Sequence, residues 1–476
     1  MATNPTHDLC VIGAGASGIA VAEAAVRLGA SVIVVERGEM GGQSLRAGSL
    51  ALSALAAAAT KANAARSGTP FGIVGEDPKV NFRRVHDHIA EIIAQAAPEF
   101  GAPRLAALGI EVVKGTAAFA DPHSVRTADT TITARRYVIA TGASPSLPDV
   151  PGLFSVPYFT TETIFDNTRK LTHLVIIGAG PMGLELALSY RRLGCDVSVV
   201  ETGSALAGTD PELASIALRG IRKEGIALYE HSGVVSVHAR SQGIGVVIRA
   251  GDGNANLDVS HILVTPDRAA NFGSLNLDAA KIRLEKPGGS LRVNSSLRTT
   301  NGRVFAVGEA MHPGIAHDVA LEAEIVVRAA LLRQPARFEP AAVTRLTLTD
   351  PEIAETGLSE PMARSRFKAA FEVVRIEYAA SDRARAGRNG AGVVKLIVGR
   401  SGQILGAGIV GAGAGELAAN VSLAIARQMK LADLALLSAP YPSHAELLRD
   451  LGAAALGKRG PTALETRLLA LNRLLP

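Results

Sequence analysis

Cysteine is nearly absent: 476 residues hold only Cys10 and Cys195. No cysteines stand at the spacing of a zinc or haem site, so the sequence offers no metal or haem framework. Cys10 sits inside an apolar run and Cys195 at the end of a helical stretch. Both read as small buried apolar residues, and their places in different parts of the chain do not make a redox pair. Charge of one sign is scarce as well. Lys and Arg number 49 against 44 Asp and Glu, the net charge is +5 with a pI near 9.3, and no basic block stands out. That balance gives no nucleic-acid signature. Long apolar runs are missing too. The nearest, Ile404–Ala426, is interrupted by Glu416 and several glycines, and reads as strand, turn and helix rather than a membrane span. The first strand begins by Leu9, which leaves no room for a secretory signal, so a cytoplasmic location is the expectation. Apolar content of 47% and charged content of 20% suit a globular enzyme, and the length suits about three domains.

What the chain does have is one glycine fingerprint written twice. Gly13-x-Gly15-x-x-Gly18 follows Leu9–Ile12, and Gly178-x-Gly180-x-x-Gly183 follows Leu174–Ile177. Each is followed by an Ala/Leu-rich helical stretch and a second apolar run ending in an acid, Glu36 and Glu201. All four landmarks repeat at an offset of 165 positions. The first glycine permits the strand-to-helix turn, the second lets backbone approach a pyrophosphate, and the third lets helix and strand pack closely. The free N–H groups of the helix start receive phosphate charge, and the acid accepts from an adenosine ribose. Two complete units predict two bound dinucleotides on an α/β fold with two Rossmann-like domains.

The rest of the chain is organised around those units. Residues 51–66 and 84–97 read as helices, and Val112–Phe119 with Val125–Thr133 as a small meander. Tyr137–Thr141 reads as a strand, with Pro145, Pro148 and Pro151 as a linker. Alternation at Val234–Val237 and Ile244–Ile248 suggests another meander. Val304–Val307 reads as a strand and 318–333 as a helix. From about residue 342 an α+β module follows. These boundaries predict one nucleotide domain from 1–150 and 266–338, a second at 151–265, and a C-terminal domain at 339–476. The tail carries Leu464, Leu468, Leu469, Leu471, Leu474 and Leu475 among Arg467 and Arg473. It reads as an amphipathic helix capping the last domain or a partner subunit, with peripheral membrane contact as the alternative.

These landmarks, with Ala140-Thr141-Gly142, Val307-Gly308-Glu309-Ala310, Ala316-His317, Thr349–Ala354 and Gly357-Leu358, resemble the pyridine nucleotide-disulfide oxidoreductase family along nearly the whole chain. The resemblance implies FAD in the first unit, a nicotinamide nucleotide in the second, and a homodimer built on the C-terminal domain. The nucleotide-binding residues it implies are Gly13, Gly15, Ala16, Ser17, Gly18, Glu36, Arg37, Gly42, Gln43, Ser44, Thr116, Ala117, Thr141, Gly142, Arg268, Gly308, Glu309, Ala316 and His317, with Gly178, Gly180, Pro181, Met182, Gly183 and Glu201 in the second fingerprint. Glu309 stands where the family has an Asp beside the flavin ribityl chain. Glu201, followed by Thr202-Gly203-Ser204 and no Arg, favours a ribose 2′-OH and hence NAD(H).

The departures decide the chemistry. The family's Gly-Gly-x-Cys-x-x-x-x-Cys-x-x-x-Lys reads here with Gly41, Gly42, Ser44, Ser49 and Ser53. Its His-Pro-Thr-x-x-Glu reads Tyr441-Pro442-Ser443-His444-Ala445-Glu446, and its Arg-x-Pro-Asn reads Arg268-Ala269-Ala270-Asn271. Thiol exchange needs a thiolate attacking a disulfide sulfur, which a serine cannot supply. A tyrosine, with an ordinary pKa of about 10, is no base near neutrality. Disulfide reduction is therefore not expected. The expectation is hydride transfer from nicotinamide to flavin and onward to a small-molecule acceptor: quinone, metal, oxygen or another nucleotide. Glu185, Tyr441, Glu446, Ser44 and Ser49 are the candidate active-site residues. Glu185 has lost the family's Lys partner, now Ser53. It is expected to turn to the nicotinamide or to find Arg46 or Ser53, or else to face solvent. Arg46, between the two serines, is a candidate cation to replace the lost lysine. A catalytically silent flavin-binding dimer, acting as scaffold or redox sensor, is the alternative.

Overall fold

The computed structural model describes residues 5–251, 253–286, 289–314, 317–459 and 461–474. The chain separates into two compact units, residues 1–207 with 222–340, and residues 208–221 with 341–476.

The first unit is built twice on the same plan. The strands Ile110–Lys114, Val32–Glu36, His7–Ile12, Thr131–Ile139 and Val304–Ala306 lie side by side in parallel. The apolar runs of His7–Ile12, Val32–Glu36 and Val304–Ala306 are buried on both faces, as a parallel sheet covered by helices requires, whereas the edge strand Ile110–Lys114 buries only Ile110. The strand Thr131–Ile139 is long enough to serve two sheets. Its first half pairs antiparallel with Ser124–Arg126, which pairs in turn with Ala118–Asp121. The stretch Val112–Phe119, expected as one meander strand, therefore breaks. Its first residues extend the parallel sheet, Gly115 turns with φ +157°, and only the last part joins the meander. The second copy orders Ala227–Tyr229, Asp196–Val200, His173–Ile177, His261–Val264 and Phe159–Thr160, all parallel. The strands Gly233–Ala239, Ile244–Ala250 and Gly253–Val259 form an antiparallel meander. The helices Ser49–Arg66, Phe82–Ala96 and Val319–Ala330 agree with the sequence reading to within a few residues.

The second unit is an antiparallel sheet, ordered Arg345–Thr347, Ile353–Gly357, Ile404–Val410, Val393–Gly399 and Phe371–Glu377. The helices Ala414–Ala426 and Glu446–Arg459 contribute to one core with it, around Tyr378, Leu396, Ile409, Val421 and Leu448. The run at Ile404–Ala426 is thus a strand, a turn and a helix. No helix among the described residues is long and apolar enough to cross a membrane. The tail forms the helix Ala463–Asn472, opened by a capping box between Thr462 and Glu465. It buries none of its residues, so of the two expected positions it does not take the one against its own domain; Leu475 lies outside the described residues.

One buried cation ties this second unit together. Lys395 is 3% exposed, with its ammonium 2.7 Å from Asp210, 3.1 Å from Glu360 and 3.4 Å from Glu212. Burial works against the charge, but the Asp210 and Glu360 carboxylates outweigh it and hold the lysine above its usual pKa. Removing one member of a buried ion cluster costs about 3–5 kcal/mol, because the remaining charges stay desolvated. Lys395→Met should therefore move the urea unfolding transition of this unit to lower denaturant by about that free energy, whereas Lys114→Met, at an exposed lysine, should leave it in place.

Candidate functional site

A cavity of about 710 Å³ opens at the carboxyl ends of the first parallel sheet. The glycines of the first fingerprint shape it as their positions require. Gly13 turns with φ +107°, and a Cβ there or at Gly18 would run into the Ala140 or Gly13 carbonyl. At Gly15 a Cβ would meet nothing within 4 Å, so that backbone is open to a ligand. The second fingerprint repeats this: Gly178 has φ +113° and sits against Thr265, Gly183 sits against the Gly178 carbonyl, and Gly180 is open. The helices Ala16–Val26 and Pro181–Arg192 begin at these open glycines with no side-chain cap. Their first N–H groups thus remain available to an anion.

Each fingerprint acid braces its own loop. Glu36 accepts from the N–H groups of Ala14 at 2.5 Å and Gly38 at 2.6 Å. Glu201 accepts from those of Ala179 at 2.8 Å and Gly203 at 3.0 Å. Partial burial opposes the Glu201 charge, but the Ala179 and Gly203 N–H groups outweigh it and hold its pKa below the usual range. Both carboxylates present acceptor oxygens at the ends of their strands, where an adenosine ribose would arrive.

The cavity wall gathers Gly13, Gly15, Ala16, Ser17, Glu36, Arg37, Gly42, Gln43, Ser44, Ser49, Thr116, Ala117, Thr141, Gly142, Met182, Arg268, Gly308, Glu309 and His317. Gly18 stays behind it in the strand–helix contact. Ala316 lies outside the described residues. The remaining second-fingerprint residues, Gly178, Gly180, Pro181, Gly183 and Glu201, do not line this cavity; of that set only Met182 reaches it. Arg268 and Glu309 form an ion pair with Nε 2.7 Å from Oε1, while Nη2 donates to Glu309 Oε2 at 3.1 Å and to the Ala143 carbonyl at 2.6 Å.

Arg46 lines the cavity between Ser44 and Ser49, as expected, though it is not a free cation. It donates to the carbonyls of Met40 at 2.8 Å and Gly42 at 3.4 Å and pairs with Glu39. Ser53 is exposed on the helix Ser49–Arg66. Glu185 is 7% exposed on Pro181–Arg192, which overturns the solvent-facing alternative, and it does not line the cavity. Tyr441 and Glu446 belong to the second unit. The exposed Tyr441 hydroxyl donates to Asp382 at 3.1 Å, and that hydrogen bond, followed by the Asp382 charge, raises the phenol pKa. Glu446 accepts from the Ser443 N–H at 3.1 Å and pairs with Arg449 at 2.9 Å. His444 stacks at a tilt on Tyr378, its ring centroid 5.3 Å away. Burial, then the Arg383 charge, lowers its pKa.

Two acids, one on the wall and one behind it, had no motif to announce them. Glu162 lies in the segment after the proline linker, and Glu322 sits behind the wall, five positions beyond His317 on the next helix. Glu162 Oε1 and Thr141 Oγ1 are buried without a hydrogen-bond partner among the described residues. Both line the cavity. Unpartnered buried polar atoms carry a desolvation cost that a polar ligand would relieve. With the open glycine and the helix start, they fit a dinucleotide in this cleft. No cluster of three or more His, Cys, Asp or Glu among the described residues could hold a metal.

A Rossmann cleft with a doubled glycine fingerprint defines a dinucleotide-binding protein. Residues 7–323 match the model for pyridine nucleotide-disulphide oxidoreductases, and residues 343–451 match the dimerisation domain of the same name. The chain belongs to that family, whose members are FAD-dependent NAD(P)H oxidoreductases. Mercuric reductase from Streptomyces lividans is 30% identical over 451 residues, covering 93% of this chain and 95% of the relative. Dihydrolipoyl dehydrogenase from Geobacillus stearothermophilus is 29% identical over 466 residues, covering 94% and 96%. In fold, the chain is similar to LpdA from Mycobacterium tuberculosis, with a TM-score of 0.84 at 22% identity over 94% of this chain and 99% of that one. The HOCl-induced flavoprotein disulfide reductase RclA from Escherichia coli gives 0.80 at 23% identity, with the same coverage.

Hydrogen bonds to a charged group contribute about 1.5–3 kcal/mol each. Glu36→Gln keeps one acceptor oxygen and loses the charge and the other. It should weaken FAD retention by roughly tenfold or more, read as the drop in bound flavin per chain on dilution and gel filtration.

Proposed function

We propose that this chain is an FAD-dependent NADH oxidoreductase whose electrons leave for a non-disulfide acceptor. The observation that carries this reading is the wall at positions 44 and 49. Both side chains are serine hydroxyls lining the cavity, while both thiols of the chain are elsewhere and fully buried. Burial pushes Cys10 up to about 12 and Cys195 up to about 11. Neither forms the thiolate that disulfide exchange needs near neutrality. The relatives' names point to dithiols and to mercury, but a soft metal ion also calls for thiolate ligands. A quinone, oxygen or a second nucleotide needs none, and the Ser44 and Ser49 hydroxyls could hydrogen-bond a quinone carbonyl.

Bound FAD would supply the hydride and electron chemistry. The chain's part is placement. The open N–H groups after Gly15 would take the pyrophosphate, and Glu36 the ribose. Arg268, Glu309 and Thr141 would flank the ribityl side, the extra methylene of Glu309 bringing its carboxylate onto Arg268 as well. The loop at Gly178–Gly183, with Pro181, Met182 and Glu201, would hold NAD(H). Met182, at the end of that loop and on the cavity wall, supports a nicotinamide delivered to this same cleft. Tyr441 and Glu446, on the match to the dimerisation domain, are proposed to complete the site from the other subunit of a homodimer. Glu185 is proposed as a buried positioning group for the nicotinamide. We retain the division into 1–150 with 266–338, 151–265, and 339–476 as the functional domains, and a cytoplasmic location.

Anaerobic mixing with NADH should bleach the bound flavin, with NADPH at least tenfold less effective. Re-oxidation should follow with quinones but not with lipoamide or glutathione disulfide. Bound flavin that stays oxidised with either nucleotide would overturn the reading in favour of a silent flavoprotein, and efficient disulfide turnover would overturn the acceptor assignment.

A further inference from the structure

His317 is held between two acceptors. Its Nδ1 lies 2.6 Å from Glu322 Oε1, and its Nε2 lies 3.0 Å from the His312 carbonyl. A carbonyl only accepts, so Nε2 carries a hydrogen, and a further proton sits in the short contact at Nδ1. Glu322 is fully buried, and its other oxygen accepts the Gly308 N–H at 2.7 Å. Among the described residues its one ion-pair partner is His317. The imidazole lines the cavity and the carboxylate does not. We propose that His317 is an imidazolium locked by Glu322, and that it presents a fixed positive charge to the cavity which raises the reduction potential of bound FAD.

The argument runs on charge and burial. A carboxylate fully out of water needs a cation or must take up a proton, and the imidazole is the group at hand. Burial works against the His317 charge, but the hydrogen bond and charge of Glu322 outweigh it and lift its pKa above the usual histidine range. His312 goes the other way. Burial and then the His317 charge lower it, so of the two rings His317 holds the proton. The other charged groups bearing on this pair are Glu309, which also favours the cation, and Glu285 beyond His312. Because the positive end faces the cavity and the negative end lies behind it, the pair acts as an oriented dipole. It favours the negative charge that reduction brings. His317 is thus a positioning residue for the cofactor's electrostatics.

This inference rests on the reading that FAD occupies the cavity, and the test separates the two. In wild-type holoprotein with ¹⁵N-labelled histidine, one ring should show both nitrogens protonated at a pH above the ordinary histidine value of ~6.5. Loss of that signal in His317→Gln assigns it. The same variant should shift the oxidised-to-reduced flavin ratio about tenfold at fixed potential, a lowering of about 30 mV for a two-electron couple. The wild-type potential should fall more steeply with pH once His317 deprotonates, because its raised pKa keeps the charge only below that value, and the variant should lack this break. Protein without FAD would sink the reading of the cavity, while the ring signal would still judge the imidazolium. A flavin-bearing His317→Gln variant with an unshifted potential, or a wild-type spectrum with no doubly protonated ring at that pH, would overturn the inference alone.

Discussion

A carboxylate gripped by two backbone N–H groups is the contact on which both nucleotide cradles depend. Glu36 draws in Ala14 and Gly38, and Glu201 draws in Ala179 and Gly203. Each acid sits at the end of a buried strand, so its carboxyl group is fixed in place before any ligand arrives. The grip fixes the turn between strand and helix, and the turn keeps the first N–H groups of the helix pointing into open space. Glycine is needed where backbone meets backbone, at Gly13 and Gly18, and is left bare at Gly15. The binding site is a by-product of satisfying a helix start without a side-chain cap.

Charge burial recurs as a second theme. Lys395 is a buried ammonium enclosed by carboxylates, and Glu322 is a buried carboxylate held to the His317 imidazole. Neither lies on a loop. Each is anchored on a strand or helix, and each gathers segments distant in the chain or adjacent to the cavity. Removing a charge from water is costly, so these positions tolerate little change in partner. Glu309 and Arg268 follow the same logic at the wall. A longer acid than the family's aspartate reaches a guanidinium that itself holds the Ala143 carbonyl.

At positions 44 and 49 the cavity wall carries oxygen and not sulfur. Serines at 44 and 49 line the wall with hydroxyls, which cannot cycle between dithiol and disulfide. The two cysteines that remain are packed into strand and helix–strand contacts and shifted away from ionisation by the same desolvation that makes them good core residues. The proposed chemistry follows from this division: nucleotide cradles intact, thiols absent from the wall.

Much of this was legible in the residues themselves. Strand, glycine turn, helix and acid are local patterns, and backbone sterics fix their geometry wherever they occur; that is why both fingerprints and most helices could be read directly. Serine at 44 and 49 is likewise a covalent fact, independent of fold. The break of Val112–Phe119 between two sheets was not legible, because alternation does not reveal which strand a segment will pair with. Nor was the turning of Arg46 onto Met40 and Gly42, the burial of Glu185, or the exposure of the leucine-bearing tail helix. The pairing of His317 with Glu322 needed three dimensions for the same reason. A proton's position depends on which acceptors lie within about 3 Å of it and on how much water they have lost, and only the folded chain decides those two quantities.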